Sequence, residues 1–141
     1  MNQSLAKRTI VSVILAAVAA LLFWSELIFS NLPSLAAGAE PAAALGWTTA
    51  ATQLYFTVLA VLDIIGGVGA VLYVALVLKG GAARRINQVL WLTAVALIVY
   101  GSYQFVTAFR LPPDLRLVYW AIGLVYLLLG VGLRLLYRPQ A

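Results

Sequence analysis

The sequence predicts an all-α integral membrane protein: an antiparallel bundle of four transmembrane helices with both termini inside (N-in/C-in). Three observations predict it. Four long apolar runs take up most of the 141 residues, 65% of which are hydrophobic. Only 9% are charged, too few to clothe a soluble domain of this size. The basic residues are also shared unevenly between the ends of the runs. A bilayer is crossed by about 20 apolar residues, so four spans leave space for loops and none for a separate soluble domain. The chain therefore reads as one domain.

The first span is expected over residues 9–30, after the basic pair Lys7 and Arg8. A signal peptide is the competing reading, with Ala37-Gly38-Ala39 as its cleavage site. The apolar run is about 20 residues long, beyond the roughly 7–15 of a signal-peptide core, so it reads as a retained helix. Pro33 is expected to end it. An Ala-rich loop follows, with Gly38, Pro41 and Gly46. Its Ala runs suit a short interfacial helix, and Trp47 suits the level of the lipid head groups.

The second span is read over residues 53–78 and stops at Lys79-Gly80-Gly81, a good helix end and turn. The third covers 87–109. Arg110-Leu111-Pro112-Pro113-Asp114 then makes a stiff turn, and the fourth covers 115–137, before Arg138-Pro139. The short second and third connections make consecutive helices antiparallel neighbours.

Orientation follows from Lys and Arg. The N-terminus, second loop and C-terminal end carry Lys7, Arg8, Lys79, Arg84, Arg85, Arg134 and Arg138; the first and third loops carry only Arg110 and Arg116. The positive-inside rule places both termini in the cytoplasm, in an energy-transducing or plasma membrane. The same clustering assigns the net charge of +5 to topology and lipid head groups, and excludes nucleic acid as the partner.

Cys and His are absent, and Met1 is the single methionine. This removes thiol chemistry, disulfides, structural zinc, and cluster or haem ligation by Cys, His or an internal Met. Ser–His and Cys–His nucleophiles go with them. No metal site and no catalytic residue is predicted. No cofactor is required, although a bound lipid, quinone or pigment is compatible with the polar residues that remain.

Those residues gather in one half of the spans. With a helix rise of about 1.5 Å per residue, Glu26 lies about 27 Å from Arg8, Asp63 about 24 Å from Lys79, and Gln104 about 28 Å from Arg85. All three fall in the outer half of a hydrocarbon layer about 30 Å thick. Tyr100, Tyr103 and Tyr119 fall nearby, and Arg110 and Arg116 close the top. The inner half holds little beyond Ser12, Tyr73 and Tyr126. Asp63, Glu26, Gln104, Tyr100, Tyr103, Arg110 and Arg116 are therefore the candidate polar or ion site.

Asp63 carries the sharpest expectation, because a charge in hydrocarbon costs several kcal/mol and needs a partner or a role. Ala60, Gly66, Gly67 and Ala70 share its helix face, and small residues let helices approach closely. That face is expected to pack against another helix. Asp63 is then either a structural partner of a Tyr, a Gln, Arg110 or Arg116, or a buried acid that exchanges a proton or binds a cation. Glu26, nearer the interface, is expected to face head groups or an outer arginine. Gly66-Gly67-x-Gly69 is read as packing and not as a phosphate loop.

By subtraction, the leading expectation is a non-catalytic accessory subunit of a larger membrane complex, of the electron-transfer or photosynthetic kind. A small proton- or cation-coupled transporter using Asp63 is the second expectation. A lipid- or quinone-binding membrane protein is the third.

Overall fold

The computed structural model describes residues 3–37 and 39–136. Those residues form helices α1 (Gln3–Glu26), α2 (Leu32–Ala37), α3 (Ala39–Leu45), α4 (Thr49–Lys79), α5 (Ala83–Ala108) and α6 (Pro113–Leu136). A π-helical turn, Leu27–Asn31, joins α1 to α2. Four helices are long and apolar enough to cross a membrane: Lys7–Ala37, Thr49–Lys79, Ala83–Ala108 and Pro113–Leu136.

The first span differs from the sequence expectation. Pro33 does not end it; the helical path runs on to Ala37. Proline within an α-helix lacks the N–H for its i−4 carbonyl, and its ring clashes with that carbonyl. The backbone just ahead of Pro33 has widened into the π turn, where the Leu32 N–H reaches back five residues to the Leu27 carbonyl. The other differences are at helix ends. α4 begins at Thr49, capped by Thr48, whose hydroxyl accepts the Ala51 N–H at 3.2 Å. Pro113 is the first residue of α6, where its missing N–H costs nothing. The expected end of the fourth span at Tyr137, with Arg138, lies outside the described residues, as does Gly38 of the cleavage-site reading.

The helix stops have readable causes. Gly80 takes a left-handed φ of 71° after Lys79, and the Gly80 and Gly81 N–H groups close on the Val77 and Leu76 carbonyls. Gly46, at φ 73°, ends α3 with the same pair of bonds, from Gly46 to Ala43 and from Trp47 to Ala42. Both are Schellman motifs, which favour glycine because a Cβ is strained at such a φ.

The spans pack as a ring: α1 against α4, α4 against α5, α5 against α6, and α6 back on α1. The start of α1, the α4–α5 turn and the end of α6 share one end of the bundle, here the basic end. The α3–α4 and α5–α6 connections share the other, the loop end. The α5–α6 contact is the tightest. A Cβ built on Gly101 would lie 2.6 Å from the Gly123 carbonyl oxygen, and one on Gly123 would lie 2.8 Å from that of Gly101. Only paired glycines allow two backbones so close. At the centre, the Tyr100 ring meets Phe23 at 5.6 Å and Tyr126 at 4.3 Å between centroids. Outside, large apolar side chains are exposed on every span, Phe29 at 80% and Leu78 and Leu117 at 73% among them.

Candidate functional site

The buried polar side chains form a ladder, and most of its rungs tie one helix to another. Near the basic end, the Ser12 and Tyr73 hydroxyls meet at 2.7 Å, joining α1 to α4. Further along, the Asn31 amide donates to Asp63 Oδ2 and, at 3.3 Å, to the Tyr100 hydroxyl. That node joins the π turn to α4 and α5. Closer to the loop end, about one turn along α5 and two along α4, the Tyr55 hydroxyl donates to Gln104 Oε1, joining α4 to α5 again. The last tie reaches the loops, where Trp47 Nε1 donates to the Arg110 carbonyl at 3.2 Å.

The periodicity of α1 explains why Asn31 stands opposite Asp63. Ser12, Ala16, Ala19, Phe23, Leu27 and Asn31 are all buried and define one face. In a regular α-helix, steps of four residues drift by about 40° each. The wider π turn offsets that drift, and so keeps Asn31 on the inward face after Phe23 and Leu27. Asp63 arrives from the packing face of α4. Ala60 is 7% exposed and Ala70 fully buried, and Gly66 and Gly67 lie against the Phe23 and Trp24 rings. The carboxyl is fully enclosed, with Oδ2 engaged and Oδ1 without a hydrogen-bond partner.

Of the seven candidate polar residues, the structure brings three into the ladder by their side chains: Asp63, Tyr100 and Gln104. Tyr103 joins through its ring, stacked on Tyr55 at 5.5 Å. Arg110 is exposed and contributes its carbonyl to Trp47. Arg116 turns back on its own loop, donating from Nη2 to the Leu111 carbonyl at 3.2 Å, with Nε buried and unpartnered. Neither arginine forms an ion pair with Asp63 or Glu26. Glu26 is half-buried at the last residue of α1, immediately before the π turn.

Two residues central to the ladder are absent from the sequence-derived set. Asn31 was placed beyond the first span by the expected stop at Pro33. Tyr55 stands near a span end, where tyrosines are commonly interfacial anchors, yet it is 2% exposed. The spacing of Phe23, Leu27 and Asn31 is the feature that could have found Asn31. The spacing of Tyr55 and Asp63, about two helical turns, could have found Tyr55.

A cavity of about 600 Å³ opens at the loop end, lined by Gly46, Trp47, Thr48, Ala51, Leu54, Tyr55, Tyr103, Val106, Thr107 and Arg110. An apolar groove of about 620 Å³ runs along α1 and α4 between Ala17 and Leu78. Asp63 lines neither. Among the described residues, no group of three or more Asp, Glu, His or Cys could hold a metal ion.

Fold and site define a class: an all-helical protein with four helices of membrane-spanning length around an internal polar ladder. Compared with models of known protein families, with curated proteins and with solved structures, the chain matches none.

Proposed function

We propose that this is an integral membrane protein with both termini in the cytoplasm, and that it serves as a non-catalytic subunit of a larger membrane assembly. The exposed apolar side chains on all four spans support membrane residence, since a water-facing bundle would carry charge there. The bias of seven basic residues to the N-terminal, second-loop and C-terminal parts of the sequence, against Arg110 and Arg116 in the other two loops, supports the orientation.

One observation carries the structural role. Asp63, the residue most expected to act, is fully enclosed, held by Asn31, and lines neither cavity. With the Ser12–Tyr73 and Tyr55–Gln104 contacts, this makes the buried polar chemistry a set of ties between helices. Interhelical hydrogen bonds of this kind hold bundles together where no hydrophobic force acts between spans. The outer faces then remain for lipid and for other subunits.

A specific observation favours a second reading, a proton- or cation-coupled carrier: Asp63 Oδ1 has no partner. The test for both is isolation in mild detergent followed by mass spectrometry. Larger proteins at fixed stoichiometry support the subunit. A homo-oligomer alone, releasing protons when a solute is added, replaces it with the carrier.

A further inference from the structure

The loop-end cavity has the layout of a site for an amphipathic molecule. Its one full charge is Arg110, in the turn after α5. The Arg110 side chain forms no hydrogen bond or ion pair with another described residue; its carbonyl alone is engaged, by Trp47. Thr48 and Thr107 line the same cavity, the Thr48 hydroxyl accepting the Ala51 N–H and keeping its own proton to donate. About one turn toward the middle of the bundle the lining becomes apolar, with Leu54 on α4 and Val106 on α5. Both are 64% exposed, so the cavity opens sideways between the two helices onto their apolar surroundings.

The floor narrows the choice of ligand. Trp47 packs edge-on against Tyr55 at 5.2 Å, and Tyr103 stacks on Tyr55 at 5.5 Å. These rings touch one another instead of facing across a gap. They make a wall and not the box that recognises a quaternary ammonium. The Tyr55 hydroxyl is already given to Gln104. Hydroxyls of Thr48, Tyr103 and Thr107 also line the cavity, but its one charged group is a guanidinium, whose planar fork matches phosphate oxygens.

We propose that this cavity binds one anionic phospholipid, with its phosphate on Arg110 beside Thr48 and Thr107 and an acyl chain leaving between Leu54 and Val106. The volume of about 600 Å³ lies within the range of small-molecule sites and holds the head group with the start of the chains. The proposal rests on the reading of the four helices as membrane spans.

The test uses the full chain, delipidated in a nonionic detergent and titrated with dioctanoyl phosphatidylglycerol while tryptophan fluorescence is followed. Dioctanoyl phosphatidylcholine and inorganic phosphate are the comparison probes. Saturable binding of one phosphatidylglycerol, weaker binding of phosphatidylcholine and none of free phosphate are expected. Arg110→Gln should weaken phosphatidylglycerol about tenfold or more, the loss of one charge-assisted contact. Arg84→Gln, at the opposite end, should leave it unchanged. Arg110 is exposed, and retained helix content by circular dichroism shows that its variant is folded. Equal losses in the two variants, equal binding of free phosphate, or no binding each overturn the proposal. Alkaline carbonate extraction separates its failure from that of the membrane reading: a chain that stays with the membrane and binds nothing defeats the lipid site alone, and a chain released to the supernatant defeats both.

Discussion

Replacing Asp63 tests the structural reading most directly, because its partner is known. In Asp63→Asn, a carbonyl oxygen can stand where Oδ2 accepts from Asn31, so the rung survives. The expected loss of stability is under about 1 kcal/mol. Asp63→Leu fills a similar space and offers no acceptor. It leaves the Asn31 amide against apolar groups, at a cost of about 1–3 kcal/mol, or roughly 5- to 150-fold in the unfolding equilibrium. Tyr100, whose hydroxyl is 3.3 Å from the same Asn31 nitrogen, remains as a second acceptor and draws the value toward the lower end.

The pair term is isolated by a double-mutant cycle with Asn31→Leu, followed by tryptophan fluorescence as denaturant is added in mixed micelles. Removing both partners should cost less than the sum of the single changes by about 0.6–1.7 kcal/mol, the range of interhelical hydrogen bonds in membranes. Strict additivity, or an Asn variant as damaged as the Leu variant, would refute the rung. An Asn variant that folds normally while the parent assembly loses all activity would give Asp63 to the carrier reading.

The remaining predictions concern packing and topology. Gly67→Leu should lower stability in detergent by about 1–3 kcal/mol through overpacking, because even a Cβ there lies 2.8 Å from the Trp24 ring. Val68→Leu, at a position 43% exposed, should change little, and equal effects would place the packing face elsewhere. Gly123→Ala should be worse than Gly132→Ala in a thermal aggregation assay, since its Cβ meets backbone at 2.8 Å and that of Gly132 meets only the Leu15 side chain at 3.5 Å. For topology, Ala82→Cys should resist an impermeant thiol reagent applied to whole cells and Ala44→Cys should react; the reverse pattern ends the N-in, C-in proposal.

Features set by local chemistry could be read without coordinates. Gly80-Gly81 after Lys79 ends α4 because a left-handed residue favours glycine, whatever surrounds it. The buried face of Ala60, Asp63, Gly66, Gly67 and Ala70 follows from helical spacing alone. Pro33 shows the limit. Proline usually stops a helix, and the way past it, through a π turn, depends on tertiary contacts that Asn31 makes with helices distant in sequence. The partner of Asp63 was legible only in part: of the Tyr, Gln and Arg expected, Tyr100 shares its node, Arg110 and Arg116 stand at the loop end, and the neutral amide of Asn31 takes the contact to Oδ2. Tyr55 was hidden by a general rule, since tyrosines near span ends are usually anchors, and its inward turn is set by Gln104 on another helix.

The π turn has an evolutionary consequence. A single π turn is what remains when one residue is inserted into an α-helix and the flanking segments keep their bearings. Read backwards, Leu27–Asn31 is the stretch of the first span where a lost residue disturbs the inward face least, at the cost of setting Pro33 back into α geometry. Deleting Ser30 should let the turn close into α geometry while Phe23 and Asn31 point nearly as before. Deleting Val18 would swing every residue beyond it by about 100° and turn Phe23, Leu27 and Asn31 out of the core. Length variants of this chain that persist should therefore differ at the π turn, and a deletion scan in which both losses are equally tolerated would show that the first span holds no such record.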